Sequence, residues 1–513
     1  MKKKNIVLIA IYDPDSLGVR TLHAALKAKG FSVHSIFLLR PNPNNTMTYP
    51  TDADINALVD LVSRLDPLFV GVSVRSTFFK LAVRISGEIR KNSDAPILWG
   101  GIHASIRPEQ CVGIADMVCM GEGEETVTEL AEKLSRGEAF DHIKNLWIRK
   151  QDGIINNDIR PLIQDMDTIP FADFSGENKY FVTDGHIHES FSQNDRSGYH
   201  IMTSRGCLFA CNYCCNQSLR EIYKGKGKYV RRRSVENVMA ELVQAKQTFR
   251  HLKMIYFFDD IFTFDAKWIR KFCEHYKTLI GLPFFCYYHP AIITEEVVRL
   301  LKDAGVEIMT AGIQSGSERI THNYFNRHVG NSKIIRAARL LKKYDIDCTY
   351  DLILDNPLET GKDKRETLNL LLRMPRPFEV FHVTLTHFPE TRLTKILSEK
   401  GMISESDIED EKQKGYERWS LTLDTNRDRE NLFWENLYFL ANKRYVPKWL
   451  VRVLSHMRFL RNHPDILTQI LRKISPWLRT GTVSESLVSL SASQLEILQT
   501  KEENLRKSFK SAN

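Results

Sequence analysis

No apolar stretch in this chain approaches the length of a membrane span, so it is expected to be made and kept in the cytoplasm. A processed leader is not expected either. The start, MKKKNIVLIAIYDPD, sets lysines before an apolar run, but the run passes into charge after Tyr12 without a small-residue cleavage site, and it reads as a first buried strand. Cysteine is sparse: nine in 513 residues do not make a disulfide framework. No second Cys-x2-Cys pair stands downstream of the single one, which argues against a closed zinc site. Acidic residues nearly vanish between Ala441 and Thr480, where Asp465 alone faces nine Lys or Arg. That window holds almost all of the net charge of +9. An excess so confined argues for a docking surface at one end of the molecule, not for a protein that coats nucleic acid.

What is present is a soluble, globular composition, 42% hydrophobic and 26% charged, in a chain long enough for two or three domains. Its focus is Ser204 to Gln217, SRGCLFACNYCCNQ, where Cys207, Cys211 and Cys214 stand at Cys-x3-Cys-x2-Cys spacing. Three sulfurs in one small loop leave a metal centre one protein ligand short. Structural zinc takes four protein ligands, and ferredoxin-type clusters hold each corner iron with a cysteine. Three thiolates on a four-iron cluster leave one iron open to a small molecule. The alternative is a zinc knuckle completed by Cys215 or a nearby His. Cys111, Cys119, Cys273, Cys286 and Cys348 lie in apolar surroundings and read as core.

From Asn5 to about Arg136, strands Ile6 to Ile11, Val33 to Leu38, Phe69 to Val74, Ile97 to Trp99 and Met117 to Met120 alternate with amphipathic helices, one ending at Gly30. This predicts a doubly wound parallel sheet whose ligand lies beyond the carboxyl ends of the strands. The loops there are Asp13 to Gly18, Ser73 to Thr77, Gly100-Gly101-Ile102-His103 and Gly121-Glu122-Gly123-Glu124. A connector with Pro161, Pro170 and turns at Gly176 and Gly185 follows, to about Tyr199.

A second alternation starts at His200, with strands at His200 to Ser204, Met254 to Phe258, Phe284 to Tyr288, Glu307 to Ile313, Cys348 to Leu354 and Val380 to Thr386. Ser234 and Thr294 read as helix N-caps and Gly305 as a C-cap. Six strands separated by helices predict a partial (β/α)6 barrel. Its unusual residues follow strand ends: the cysteines, Asp259-Asp260, Gly312 to Ser317 and Asp355-Asn356-Pro357. Adjacent acids after a strand are also common as an N-cap and a solvated neighbour, and a Gly-x3-Gly segment can serve packing alone. Beyond Thr391 the chain reads as basic amphipathic helices, taken first as a cap over the barrel mouth and alternatively as a surface for anionic lipid or a lipid-like substrate. The stretch after Thr480 is polar and is expected to fray.

The cysteine loop resembles the signature of the radical SAM enzymes, in which the open iron is chelated by S-adenosylmethionine (SAM). Upstream of it, the four ordered loops resemble the cobalamin-binding domain fused to many such enzymes, and the Ile169 to Phe174 run resembles their interdomain segment. The resemblance implies an α/β organisation: a Rossmann-like cobalamin domain over 1–140, a connector over 141–195, a radical SAM partial barrel over 196–390 and a mainly helical region over 391–513. It implies a 4Fe-4S cluster on Cys207, Cys211 and Cys214, and SAM contacts at Tyr213 (adenine), Asp259, Asp260, Gln314 and Ser315. Cobalamin contacts are implied at Ser16, Gly18, Gly100, Gly101, His103, Gly121, Glu122 and Gly123. No catalytic residue is assigned. Two departures stand out. Many relatives carry Glu where Gln314 stands, and the His loop that ligates cobalt in other cobalamin domains is replaced by Asp13 to Gly18, without a His.

The function so implied is methylation of an unactivated carbon through a 5′-deoxyadenosyl radical and methylcobalamin, with a reductant such as flavodoxin or ferredoxin, a small-molecule or lipid-like substrate, possible contact with a membrane surface, and no nucleic acid. The alternatives are a cobalamin-containing radical SAM cyclase or rearrangement enzyme, and a non-catalytic cobalamin and iron-sulfur sensor. The methylthiotransferase branch would need a further cysteine trio in the N-terminal domain, which Cys111 and Cys119 cannot supply.

Overall fold

The computed structural model describes residues 5–39, 50–189, 196–414 and 428–478. The expected polar stretch after Thr480 lies outside them. The first sheet has nine strands: β1 (Asn5–Ile11), β2 (Ser32–Leu38), β3 (Val70–Ser73), β4 (Ile97–Gly100), β5 (Met117–Cys119), β6 (Leu146–Lys150), β7 (Gly153–Asn156), β8 (Lys179–Thr183) and β9 (His186–Glu189). Their order is β7-β6-β5-β4-β3-β1-β2-β8-β9. β1 pairs in parallel with both β2 and β3, so the winding reverses beside it, and ligands of such sheets bind at that reversal. Two-residue periodicity feeds both faces: Val7, Ile9 and Ile11 enter one core, while Ile6, Leu8 and Ala10 enter the other.

The connector is more than a linker. Its β6 and β7 extend the β5 edge antiparallel, and β8 joins β2 in parallel before turning back as β9. The sheet therefore runs on well beyond residue 140.

The second sheet is all parallel, in the order β10 (Gly198–Ile201), β13 (Met254–Phe257), β14 (Phe284–Tyr287), β15 (Val306–Gln314), β16 (Asp347–Leu354) and β17 (Glu379–Thr384). The short strands β11 (Ser204–Arg205) and β12 (Arg231–Arg232) pair antiparallel around the cysteine loop. Six parallel strands joined by helices make the expected partial barrel. Ser234 and Thr294 cap their helices by accepting from Asn237 N and Val297 N, and Gly305 ends its helix at φ +102°. Outward side chains such as Ile255, Phe257, Phe284 and Met309 share one core with the helices, whereas Tyr256, Phe258, Phe285 and Tyr287 line the inner face.

The helix Arg429–Asn442 carries Phe433, Trp434, Leu437 and Tyr438 into that outer core. The Tyr438 hydroxyl donates to the Lys364 carbonyl at 2.8 Å, and Glu435 lies 3.2 Å from His382 Nδ1 on β17. This region is thus an added outer layer against the side of the barrel, in place of the expected cap over its mouth. Among the described residues no helix is long and apolar enough to cross a membrane.

Candidate functional site

The cysteine loop leaves β11 through Gly206, whose φ is +86° and where a Cβ would fall 2.4 Å from the Tyr229 carbonyl oxygen. Only glycine fits there. The loop is tacked down at its middle, through both backbone groups of Asn212: Asn212 N donates to Phe325 O at 3.0 Å, and Leu393 N donates to Asn212 O at 2.8 Å. Cys214 N closes a turn on Cys211 O, and the helix Cys215–Ile222 begins directly after. The three sulfurs do not surround one point. Among the described residues no three His, Cys, Asp or Glu side chains converge as a single metal ion requires. A four-iron cluster instead takes each thiolate at a separate iron.

Burial pushes the Cys207 thiol up to about 11, and Asp260, Cys214 and Cys211 add to the push. The Cys214 thiol is brought down to about 7, chiefly because Cys215 donates to it. The Arg327 guanidinium lies 3.9 Å from Cys211 Sγ and also donates to the Gly312 carbonyl. Arg327 therefore sets a buried positive charge against the sulfurs, and sequence reasoning did not find it because it arrives from a loop more than a hundred residues away. The Tyr213 ring packs edge-on to Phe325 at 5.0 Å.

The two adjacent acids part company. Asp259 is fully buried and accepts from Thr203 N, Thr203 Oγ1 and Ser204 Oγ, clamping the first barrel strand to the second. Asp260 faces a cavity, accepts from Asn216 Nδ2 at 3.1 Å, and is held above the usual carboxylate range by burial, against that hydrogen bond. Gln314 sits at φ +70° with its amide folded over Gly312. Ser315 is turned inward, donating to Glu359 Oε1 at 2.7 Å. Burial raises the Glu359 carboxyl to about 7. Across the lumen face, Asp351 pairs in register with Gly312 and Phe381, and burial raises its carboxyl to about 7 while Arg327 pulls the other way. Neither Glu359 nor Asp351 was singled out from sequence. A lone acid inside the apolar run Cys348 to Leu354 was the available signal.

The cavity, about 560 Å³, runs between the two sheets. On the N-terminal side it is lined by Gly18, Ser73, Gly100, Gly101, Gly121, Glu122 and Gly123, the carboxyl ends of β1, β3, β4 and β5. It continues inward along Leu8, Leu98 and Val127. On the other side stand Cys215, Asn216, Tyr223 and Asp260. One hollow thus touches the glycine loops and the two flanks of the cysteine loop, at Arg205-Gly206 and Cys215-Asn216, while Cys207, Cys211, Cys214, Tyr213, Gln314 and Ser315 lie outside its lining. Glu122 does not point its charge into it: both oxygens accept from Arg231, one also from Arg205 at 3.0 Å, and the other from Ile163 N at 2.9 Å. Ser16 is buried at the start of its helix and does not line the cavity.

His103, expected at the cobalamin site, turns away from it. The ring is fully buried, with Nδ1 2.9 Å from Ser76 Oγ and Nε2 3.2 Å from Gln110 Oε1. His23 is likewise engaged, by Ser35 Oγ and Lys179 Nζ at 2.9 Å each. Among the described residues lining the cavity there is no histidine.

The comparisons agree with this layout. The B12 binding domain family matches residues 5–131, and the Radical SAM superfamily matches 201–371. An uncharacterized methyltransferase of Pyrococcus horikoshii is 28% identical over 67% of this chain and 72% of its own. Among solved structures, the radical SAM methyltransferase TsrM of Kitasatospora setae, with tryptophan and a SAM analogue bound, superposes with a TM-score of 0.61 at 18% identity. It covers 77% of this chain and 76% of its own. TsrM has also been solved with cobalamin and a [4Fe-4S] cluster. The cobalamin-dependent SAM radical enzyme OxsB gives a TM-score of 0.63 at 18% identity, over 99% of this chain and 81% of its own. At these identities the structural likeness speaks for the fold.

Proposed function

Because the chain is a cobalamin-binding radical SAM enzyme, with a B12 domain ahead of a radical SAM core, we propose that it methylates an unactivated carbon of a small-molecule or lipid-like substrate. The observation that carries this reading is the cavity that runs from the glycine loops to the residues flanking the three cysteines, since methyl transfer to a carbon radical requires both cofactors to face one space. When bound, the cluster, SAM and cobalamin supply radical generation and methyl carriage.

The residues fit these groups. Cys207, Cys211 and Cys214 would hold the cluster through three thiolates, with Arg327 offsetting their charge at Cys211. Asp260, held at one oxygen by Asn216, and Gln314, whose amide lies over Gly312, would meet the polar ends of SAM, with Tyr213 beside the adenine. Ser315 would act through the backbone or through Glu359. Gly18, Gly100, Gly101, Gly121 and Gly123 would admit cobalamin close to the backbone. Glu122 fixes its loop against Arg205 and Arg231, and so holds the two halves of the cavity in register. Asp259 is a positioning residue for β10. A reductant of the flavodoxin or ferredoxin type, a cytoplasmic setting and peripheral contact with a membrane through the basic helices complete the reading.

Anaerobic turnover with dithionite, SAM and cobalamin tests it. Methylation predicts 5′-deoxyadenosine and S-adenosylhomocysteine together, and a substrate heavier by one methylene. Deoxyadenosine without S-adenosylhomocysteine would replace the reading with a cyclase or rearrangement enzyme. Tight cofactors with no SAM cleavage would replace it with a sensor.

A further inference from the structure

Most surfaces of the described chain carry scattered apolar residues, as soluble proteins do. One segment does not. Between Arg444 and Phe459, Tyr445, Trp449, Val453, Met457 and Phe459 are 66, 64, 52, 42 and 59% exposed. They hold five of the thirteen large hydrophobic side chains exposed among the described residues, and Ile466 and Ile470 continue the series. The segment includes the helix Lys448–Leu454, on which Trp449 and Val453 stand four residues apart and so share a face. The opposite side is already used: Val451 is fully buried in the barrel's outer core, and Val446, Leu454 and Leu460 pack against it. The helix is therefore anchored by one apolar side while a second apolar side faces outward.

Charge distinguishes this surface from an ordinary sticky patch. No acidic residue occurs between Glu435 and Asp465, while Lys443, Arg444, Lys448, Arg452, Arg458 and Arg461 do. Lys443 and Arg461 are paired with Glu379 and Glu430. Arg444, Arg452 and Arg458 are exposed and make no ion pair with an acid among the described residues. Exposed Trp and Tyr set among exposed arginines suit the boundary between lipid headgroups and acyl chains, where the rings bury their bodies and the guanidinium groups meet phosphate. A nucleic acid could stack on Tyr445, Trp449 and Phe459 and would also attract the arginines, but the exposed aliphatic side chains Val453 and Met457, continued by Ile466 and Ile470, suit acyl chains and offer bases nothing to stack on.

We propose that Arg444 to Phe459 form a docking surface for an anionic bilayer, on which this enzyme rests without crossing it. The proposal takes up the membrane contact in the proposed function and is independent of the chemistry at the cluster. Vesicle binding can therefore fail while methyl transfer stands, and the reverse.

The full chain, with cluster absorbance as the check on folding, is sedimented with vesicles of phosphatidylglycerol and phosphatidylcholine, and with phosphatidylcholine alone. Partitioning to the anionic vesicles only, weakening as salt rises, is expected. Neutralising an arginine should cost about fivefold in partitioning, so the triple variant Arg444→Gln, Arg452→Gln, Arg458→Gln should lose about a hundredfold. Trp449→Ser with Val453→Ser should weaken binding at unchanged charge, and the blue shift in tryptophan emission on binding should disappear in Trp449→Phe. No partitioning, or equal partitioning to neutral vesicles, overturns the proposal. So does a concentration-dependent dimer that Trp449→Ser abolishes, which would make a second copy the occupant, or preferential capture by single-stranded nucleic acid.

Discussion

The hydroxyl of Tyr223, on the last turn after the cysteine loop, accepts the backbone N–H of Glu122 at 2.7 Å in the loop that follows β5. It also stands 1.7 Å from where a Cβ on Gly121 would lie, at a backbone φ of +67°. The ring thus fills the place of a missing side chain in the other domain. Gly121→Ala should suffer twice, from left-handed backbone, worth about 1–2 kcal/mol, and from collision with the tyrosine. Lower stability in denaturant titration and weaker cobalamin retention are expected. Unchanged stability would mean that the Tyr223 contact does not persist in solution.

Replacing Cys207, Cys211 and Cys214 together by Ala should abolish cluster absorbance and SAM cleavage, while Cys215→Ala should retain both. Cys215 lines the cavity and donates to Cys214, and it stands outside the proposed set of three ligands. Loss of the cluster in the Cys215 variant alone would mean a fourth protein ligand.

Cobalamin should bind without a protein nitrogen below the metal. His23 and His103 are both buried and hydrogen-bonded elsewhere. The electron paramagnetic resonance spectrum of the cob(II)alamin form should lack nitrogen hyperfine splitting, and His103→Ala should leave it unchanged. A splitting lost in that variant would place His103 on cobalt.

Lys179 gives a pH signature. Burial lowers its pKa from 10.5 to about 8, although Asp173, 3.5 Å away, pulls it upward. In the window from about 8 to 10.5 the unfolded chain holds this proton and the folded chain does not, so stability should rise with pH there. Lys179→Met should remove that rise. Matching slopes for the two proteins in unfolding experiments at pH 8 to 10.5 would exclude the effect.

Much of this architecture was legible in the sequence because strands buried on both faces read as short apolar runs, and all eleven expected strands appear within a few residues of their places. The cysteine loop was legible because its three cysteines are local in sequence. What escaped notice was long-range or paired. The adjacent Asp259 and Asp260 look alike on paper, yet alternation sends one into the sheet and the other into the cavity. Arg327 and the Glu122 contacts with Arg205 and Arg231 join segments far apart in the chain, with no local pattern to announce them. His103 follows a glycine pair at a strand end, as a ligand contact would, but the turn of its short helix carries the ring toward Ser76.

The strands of the connector set where this protein can be divided. A fragment ending at residue 140 would omit β6 to β9 and leave both β5 and β2 as bare edges, with unpaired backbone ready to recruit strands from other copies. A fragment carried through Glu189 keeps both edges covered. The cobalamin half should therefore be obtainable as a monomer only when the chain between the two family domains is kept with it.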